Sequence, residues 1–225
     1  MDLRRATACL TLALATTVQA SPLASAPYLP LRVGNWWAYQ EEGEEGRALS
    51  RETWSIVDVD GDSRSGEFHV RSCTKRLDDL GHHSRFERHE YLRASEEGLR
   101  KRYPTGQDAG QEVLLVKEPP ADGARWRDAQ GRCEVTARGS CTGPHGRLED
   151  CVVVVCTLGE PAGTIVTSTY ARDVGMVRQE VDVLEILPVM EGAPAIVPSG
   201  GRRDGHSVLR LTDYHVGRRR PAVQR

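Results

Sequence analysis

Residues Thr53–Cys73, TWSIVDVDGDSRSGEFHVRSC, decide the fold class. Apolar side chains recur at Trp54, Ile56 and either Val57 or Val59. That is a period of two, in which successive side chains take opposite faces of a strand. Asp60-Gly61 is a dipeptide favoured in hairpin turns, and GEFHVRSC returns as the partner strand.

The same alternation recurs along the chain. It is found around Trp36–Gln40, twice within Ser84–Tyr103, and in Glu112–Glu118, Arg132–Arg138, Asp150–Leu158, Gly163–Ala171, Gly175–Leu187 and Ser207–Val216. Valine, threonine and tyrosine are prominent in these segments, and glycine stands in most of the connections. No long stretch carries a 3.6-residue period. The pattern predicts an all-β domain of about eleven antiparallel strands in a curled sheet, half-barrel or sandwich. Met190–Gly205, rich in glycine and proline, predicts a mobile loop within this domain of residues 21–217. Arg218, Arg219, Arg220 and Arg225 crowd a tail expected to be disordered.

The first twenty residues, MDLRRATACLTLALATTVQA, read as a secretory signal. Arg4 and Arg5 form a basic start, Ala6–Val18 a short apolar run, and Val18-Gln19-Ala20 a cleavage site, with Ala26 a second choice. The expected location is the periplasm, cell surface or exterior. No later run is apolar over the ~18 residues that a membrane helix needs. A formal net charge of −2 gives no reason to expect nucleic acid as a partner. A protein, polymer or lipid of the cell envelope is the expected one.

Two tryptophans stand side by side in PLRVGNWWAYQ, Pro30–Gln40. Pro30-x3-Gly34-x2-Trp37 recurs as Pro119-x3-Gly123-x2-Trp126, each time before strand-like sequence. Proline ends an extended approach, glycine permits a left-handed turn, and the tryptophan points inward. Alternation puts Trp37 and Tyr39 on one face, so Trp37 and Trp126 are expected in the core. Trp36 falls on the other face, as surface packing or a ligand contact.

PLRVGNWWAY resembles the PLKVGNTWTY-type opening of a family of exported bacterial β-rich domains of unknown function. PHGRLEDC (Pro144–Cys151) resembles that family's PAGTFEDC-type hairpin, and YARDVGMV (Tyr170–Val177) its YAKGVGLV-type strand pair. His145 and Asp173 depart from the family's small residue and glycine. The resemblance implies an exported antiparallel β domain and brings no catalytic residues with it.

Five cysteines follow the signal segment: Cys73, Cys133, Cys141, Cys151 and Cys156. In an exported protein they are expected to form disulfides with one thiol left over. Cys133 and Cys141 share a strand face by parity, whereas Cys151 and Cys156 do not, so two cross-hairpin bridges conflict unless a bulge intervenes. Cys141–Cys151 is the first choice, Cys133–Cys156 its rival, and Cys73 the free thiol.

These cysteines with His145 lack the paired C-x2-C spacing of a zinc site. Asp78, Asp79, His82, His83, Glu87, His89 and Glu90 form the richest polar cluster but match no ligand spacing, and a solvated hairpin tip explains them. Glu41–Gly46, EEGEEG, lacks the alternating ligands of a calcium loop. Ser72-Cys73-Thr74-Lys75 matches S-x-x-K without the helix and partner motifs that acylation needs. The sequence therefore predicts no enzyme, no metal and no cofactor. It predicts a binding or structural module, with an apolar-ligand carrier in a half-open barrel or a metal-dependent hydrolase as alternatives.

Overall fold

The computed structural model describes residues 27–43, 46–61, 66–77, 83–105, 109–159, 163–184 and 203–217. The first twenty residues, expected to be a secretory signal, lie outside the described residues, as do most of the Met190–Gly205 stretch, the arginine tail, Asp78, Asp79 and His82. No helix of the described residues is long and apolar enough to cross a membrane.

Twelve strands form one antiparallel sheet. They are β1 (Trp36–Glu42), β2 (Ala48–Asp60), β3 (Glu67–Leu77), β4 (His83–Ser95), β5 (Gly98–Arg102), β6 (Glu112–Lys117), β7 (Arg125–Arg127), β8 (Gly131–Gly143), β9 (Gly146–Leu158), β10 (Thr164–Ala171), β11 (Gly175–Leu184) and β12 (Arg203–His215). Their order is β6-β5-β4-β3-β2-β1-β12-β11-β10-β9-β8-β7. Two six-stranded meanders, β1–β6 and β7–β12, thus meet where β1 pairs with β12 from Trp36↔His215 to Glu42↔Val208.

The two remaining edges, β6 and β7, are laced by side chains. The Trp126 indole donates to the Leu114 carbonyl at 2.8 Å, the Leu114 N–H donates to the Asp128 carboxylate at 3.3 Å, and Lys117 donates to the Arg125 carbonyl at 3.5 Å. The sheet is a nearly closed barrel.

The repeated proline-glycine-tryptophan motif opens each meander in the same way. Gly34 and Gly123 have φ of 91° and 74°, where glycine alone is free of strain. Gly34 N–H donates to Ile56 and Ile56 N–H to Asn35, both at 2.9 Å. Gly123 N–H donates to Val135 at 2.8 Å, and Val135 N–H to Ala124 at 2.9 Å. The two tryptophans then differ. Trp37 is 1% exposed, whereas Trp126 is half-buried, because β7 is an edge strand three residues long with no ladder on its far side. Alternation alone missed β7 for the same reason: three residues hold no readable period.

Antiparallel partners share a face, so the register traces the lumen. It carries Trp37 and Tyr39 across to Trp54 and Glu52, then to Ser72 and Thr74, then to Arg88 and Phe86. A bulge between Ile56 and Asp58 makes Val59, paired with Phe68, the next inward residue after Ile56. Ile56, Val70, Leu92 and Val116 from one half pack with Val135, Val154, Tyr170 and Leu211 from the other in a single buried cluster.

One end of the barrel is plugged, and the segments Pro30–Tyr39, Pro144–Cys151 and Tyr170–Val177 meet there. The Trp37 indole donates to the Val174 carbonyl at 2.5 Å. A Cβ on Gly175 would lie 2.7 Å from Leu29 Cδ1 and 2.9 Å from Trp37 Nε1, so only glycine lets the turn close on the indole. Asp173 sits at φ 59°, in the left-handed region, and its N–H donates to the Pro27 carbonyl at 2.6 Å. Asn35, 2% exposed, ties Pro30 to the chain after β12 through bonds of 2.8 Å to the Pro30 carbonyl and 3.0 Å from the Gly217 N–H.

Asp150 of the second motif is the hub. It accepts from the Tyr28 hydroxyl at 2.9 Å, from Arg138 at 3.3 Å, and from Arg172. The Arg172 hydrogen bond, with those of Tyr28 and Arg138, holds its pKa below the usual aspartate value against the opposing effect of partial burial. A carboxylate whose folded pKa is depressed stabilises the fold above its unfolded pKa, and that contribution is lost as pH falls through the folded value.

Two predictions follow from this end of the barrel. Trp37→Ala should lower stability by about 3–5 kcal/mol, as a buried large-to-small change, and Trp36→Ala by much less. Denaturant titration checks both, and equal losses would show the faces to be misassigned. Asp150→Asn should lower the melting temperature at neutral pH. Its deficit against wild type should shrink as pH falls below about 4, where the wild-type carboxylate is itself protonated. Thermal melts across pH 2–7 check it, and a deficit independent of pH would remove the electrostatic role.

Candidate functional site

Halfway up the barrel the lumen turns polar. Glu90, 7% exposed, lies 3.6 Å from the Lys101 ammonium and 3.9 Å from Arg88, and Lys101 sits 4.6 Å over the Tyr103 ring. Burial acts to lower the Lys101 pKa, but Glu90 and Tyr103 outweigh it and leave the amine above its ordinary value. Burial raises Tyr39 and Tyr170. The lysine therefore stays charged and both phenols stay neutral at pH 7.

Glu52 is pushed up by burial and by the carboxylates of Glu90 and Glu41, while the Trp54 indole and Arg88 pull it back. The Trp54 N–H is buried without a well-formed hydrogen bond, with Glu52 near enough to feel it. The cross-strand neighbours of Glu52 are Tyr39 and Thr74, and no group beside it is activated as a nucleophile. The ion pairs of the cluster, Glu90 with Arg88 and with Lys101, all lie within β4 and β5.

The sheet divides the polar cluster around β4. Glu90 faces the lumen, while Glu87 and His89 face out. There His89 lies 3.3 Å from Glu87 and 2.8 Å from His69, a β3 residue brought close only by the strand register. The side chain of His83 lies outside the described ones. Among the described residues no three metal-ligating groups come together.

The cysteines resolve differently from the expected rivalry. Cys133–Cys156 and Cys141–Cys151 are both bridged, and Cys73 is free. Bulges between Val135 and Ala137 and between Gly139 and Cys141 reset the parity that had set the two bridges in conflict. Paired in this way, the four sulfurs offer no thiolate for zinc. Ser72 and Lys75 take opposite faces of β3, Ser72 buried and Lys75 exposed, so the S-x-x-K match cannot act as one site.

The outer wall carries a feature that no single segment of sequence displays. Arg178 pairs with Arg210, Arg210 with Gln40, Gln40 with Arg51, Arg51 with Lys75, and Lys75 with Arg85. Five cations thus stand in one row across six strands, from β11 to β4. At a strand spacing of about 4.8 Å the row is ~24 Å long. Like charges directly opposite one another are destabilising.

At the ends of the row the charge is balanced, Arg210 by Glu42 at 3.0 Å, Arg178 by Glu180, and Arg85 by Glu87 at 3.8 Å. In the middle it is not. Arg51 and Lys75 are exposed and have no ionic partner among the described residues. Along β2 and β3 their outer-face neighbours are Leu49, Thr53 and Cys73, none of them acidic, while the acidic Glu42 and Glu87 stand diagonally across on β1 and β4 and pair with Arg210 and Arg85.

Trp36 stands on this same outer wall, half-buried, paired with Ser55 and His215. Beyond Ser55 its row continues to Arg71 and His89. The β8–β9 hairpin reaches over the other end of the basic row, where His145 lies 3.3 Å from Asp213 of β12. Under it is a cleft of about 400 Å³ lined by Cys141, Thr142, Pro144, Thr169, Arg178 and Arg210. A second cleft, of about 510 Å³, lies along β7–β9 beside Trp126.

No protein-family model matches the chain, and no curated protein matches it. Among solved structures, the chain is similar to a protein of Bacteroides fragilis described as exported and as having a YmcC-like fold. The TM-score is 0.53 at 10% identity, over 84% of this chain and 99% of that one. A protein of Parabacteroides distasonis described as a lipoprotein matches at TM-score 0.48 and 12% identity, over 85% of this chain and 99% of that one. At such identities the first likeness is one of fold alone, and the second adds nothing to it.

Proposed function

We propose that this protein is an exported, non-catalytic binding domain of the cell envelope that holds an anionic partner on its outer wall. The observation that carries the reading is the basic row, with Arg51 and Lys75 at its centre exposed and without an ionic partner among the described residues. A fold that sets cations opposite one another without counter-charge gives up stability, and a ligand that supplies the counter-charge restores it. The lumen supports the same reading. Its cross-section is filled by Trp37, Tyr39, Ile56 and Tyr170, and its lysine and tyrosines are held away from neutral pKa values. Export is supported by the signal-like start and by the similarity in fold to a protein described as exported.

One observation favours a second reading, a carrier. Phe86 and Val183, 59% and 41% exposed, both lie on the lumenal face at the open end, on opposite walls. A small apolar ligand seated at that mouth would cover them. Lipid found by mass spectrometry in protein purified under native conditions would favour this reading over the first.

The leading reading predicts binding to an anionic polymer resin that weakens steeply with salt, since exposed charges are screened over about 10 Å at 0.1 M. Arg51→Gln with Lys75→Gln should elute at distinctly lower salt than wild type. Arg125→Gln, on the far wall, should elute with wild type. Identical elution of all three proteins would refute the assignment of the surface.

A further inference from the structure

We infer that the outer-wall row is the track of an acidic polysaccharide, and that the cleft beneath the β8–β9 arm takes a carboxylate-bearing sugar unit of that chain. The inference rests on the outer-wall reading above and names its ligand.

The first argument is shape. The row runs across the strands, so it follows the circumference of the barrel and not its length. A flat membrane can touch only the crest of such a convex belt. A flexible linear polymer can follow all of it, offering a negative charge to each strand in turn.

The second is where the row leads. Arg51 and Lys75 stand on open wall, but Arg210 and Arg178 lie under the arm and line the 400 Å³ cleft. That volume falls within the range of small-molecule sites. The arm is fixed over the cleft at three points. Cys141–Cys151 ties its two strands together, His145 meets Asp213, and Asp150 anchors its base to Arg172 and Tyr28.

The third is chemistry. Each guanidinium has several N–H donors in a planar fork and uses only part of it on its carboxylate, Arg210 through Nε to Glu42 and Arg178 through Nη2 to Glu180. The remaining donors suit a second carboxylate, and guanidinium–carboxylate bonds are among the stronger hydrogen bonds in proteins. The hydroxyls of Thr142 and Thr169 complete a lining that both donates to and accepts from sugar hydroxyls. Single-stranded nucleic acid calls instead for a succession of aromatic platforms. On this wall stand one indole, Trp36, and a group of rings on β3–β4, His89, His69 and Tyr91, that stack on one another at 5.0 and 5.2 Å, so the nucleic-acid arm of the test below is the discriminating one.

Calorimetric titration with polygalacturonate, a galacturonic acid trimer, neutral dextran, single-stranded DNA and phosphatidylglycerol vesicles tests this. Polygalacturonate should bind and dextran should not. Arg51→Gln with Lys75→Gln should weaken the polymer by about tenfold, the loss of two charge-assisted contacts, and leave the trimer unchanged. Arg210→Gln should abolish trimer binding, and Thr169→Val should weaken it without removing a charge. Thermal melts keep folding defects apart from binding defects.

DNA or vesicles binding as tightly as polygalacturonate, with losses in the same variants, would overturn the polysaccharide and keep the anionic wall. Polygalacturonate binding that survives every substitution would overturn both. A trimer that fails to bind while the polymer does would remove the cleft from the site.

Discussion

A single indole holds this barrel shut. Trp37 lies across the plugged end, donating to Val174, and the turn that presents that carbonyl can approach only because residue 175 has no side chain. Tyr28 and Leu29 are packed into the same knot, and Asp150 ties it to the β8–β9 arm. The segments by which the sequence resembles exported β domains all end here, some 135 residues apart along the chain and touching in space. Their shared task is architectural: they seal a curled sheet that would otherwise expose its apolar face at one end.

Once that end is sealed, the two meanders need only one ladder and one laced seam to form a barrel. The β1–β12 ladder is long and continuous. At the opposite seam, side chains of β7 and its neighbours satisfy the backbone of β6, which blunts two edges that would otherwise invite pairing with another chain. The common turn geometry at Gly34 and Gly123 shows one device used twice, tightly where the tryptophan is central and loosely where it is at an edge.

A filled lumen moves the search for function outward. Inside, Glu90 pairs with Lys101 and Ser168 with Gln179, which helps to specify the packing, whereas the Trp54 N–H is buried without a well-formed hydrogen bond. On the outer wall the balance is reversed. There the register places cations side by side and leaves the central two without an ionic partner among the described residues.

The strand class, the inward Trp37, the free Cys73 and the identity of the bridging cysteines were legible along the chain, because each depends on local period, turn chemistry or composition. Strand β7, the half-exposed Trp126 and the coexistence of both disulfides were not, because an edge position and two bulges reset the parity that alternation relies on. The candidate site was the least legible of all. Arg51, Lys75, Arg85, Arg178 and Arg210 come from five different strands, and each looks like an ordinary outward residue of its own strand. Sequence determines which face of a strand a side chain takes, because that follows from the pleat. Which cations become neighbours was decided by tertiary structure alone, because register is set by bulges, turns and the closing β1–β12 ladder, interactions between residues far apart in the chain.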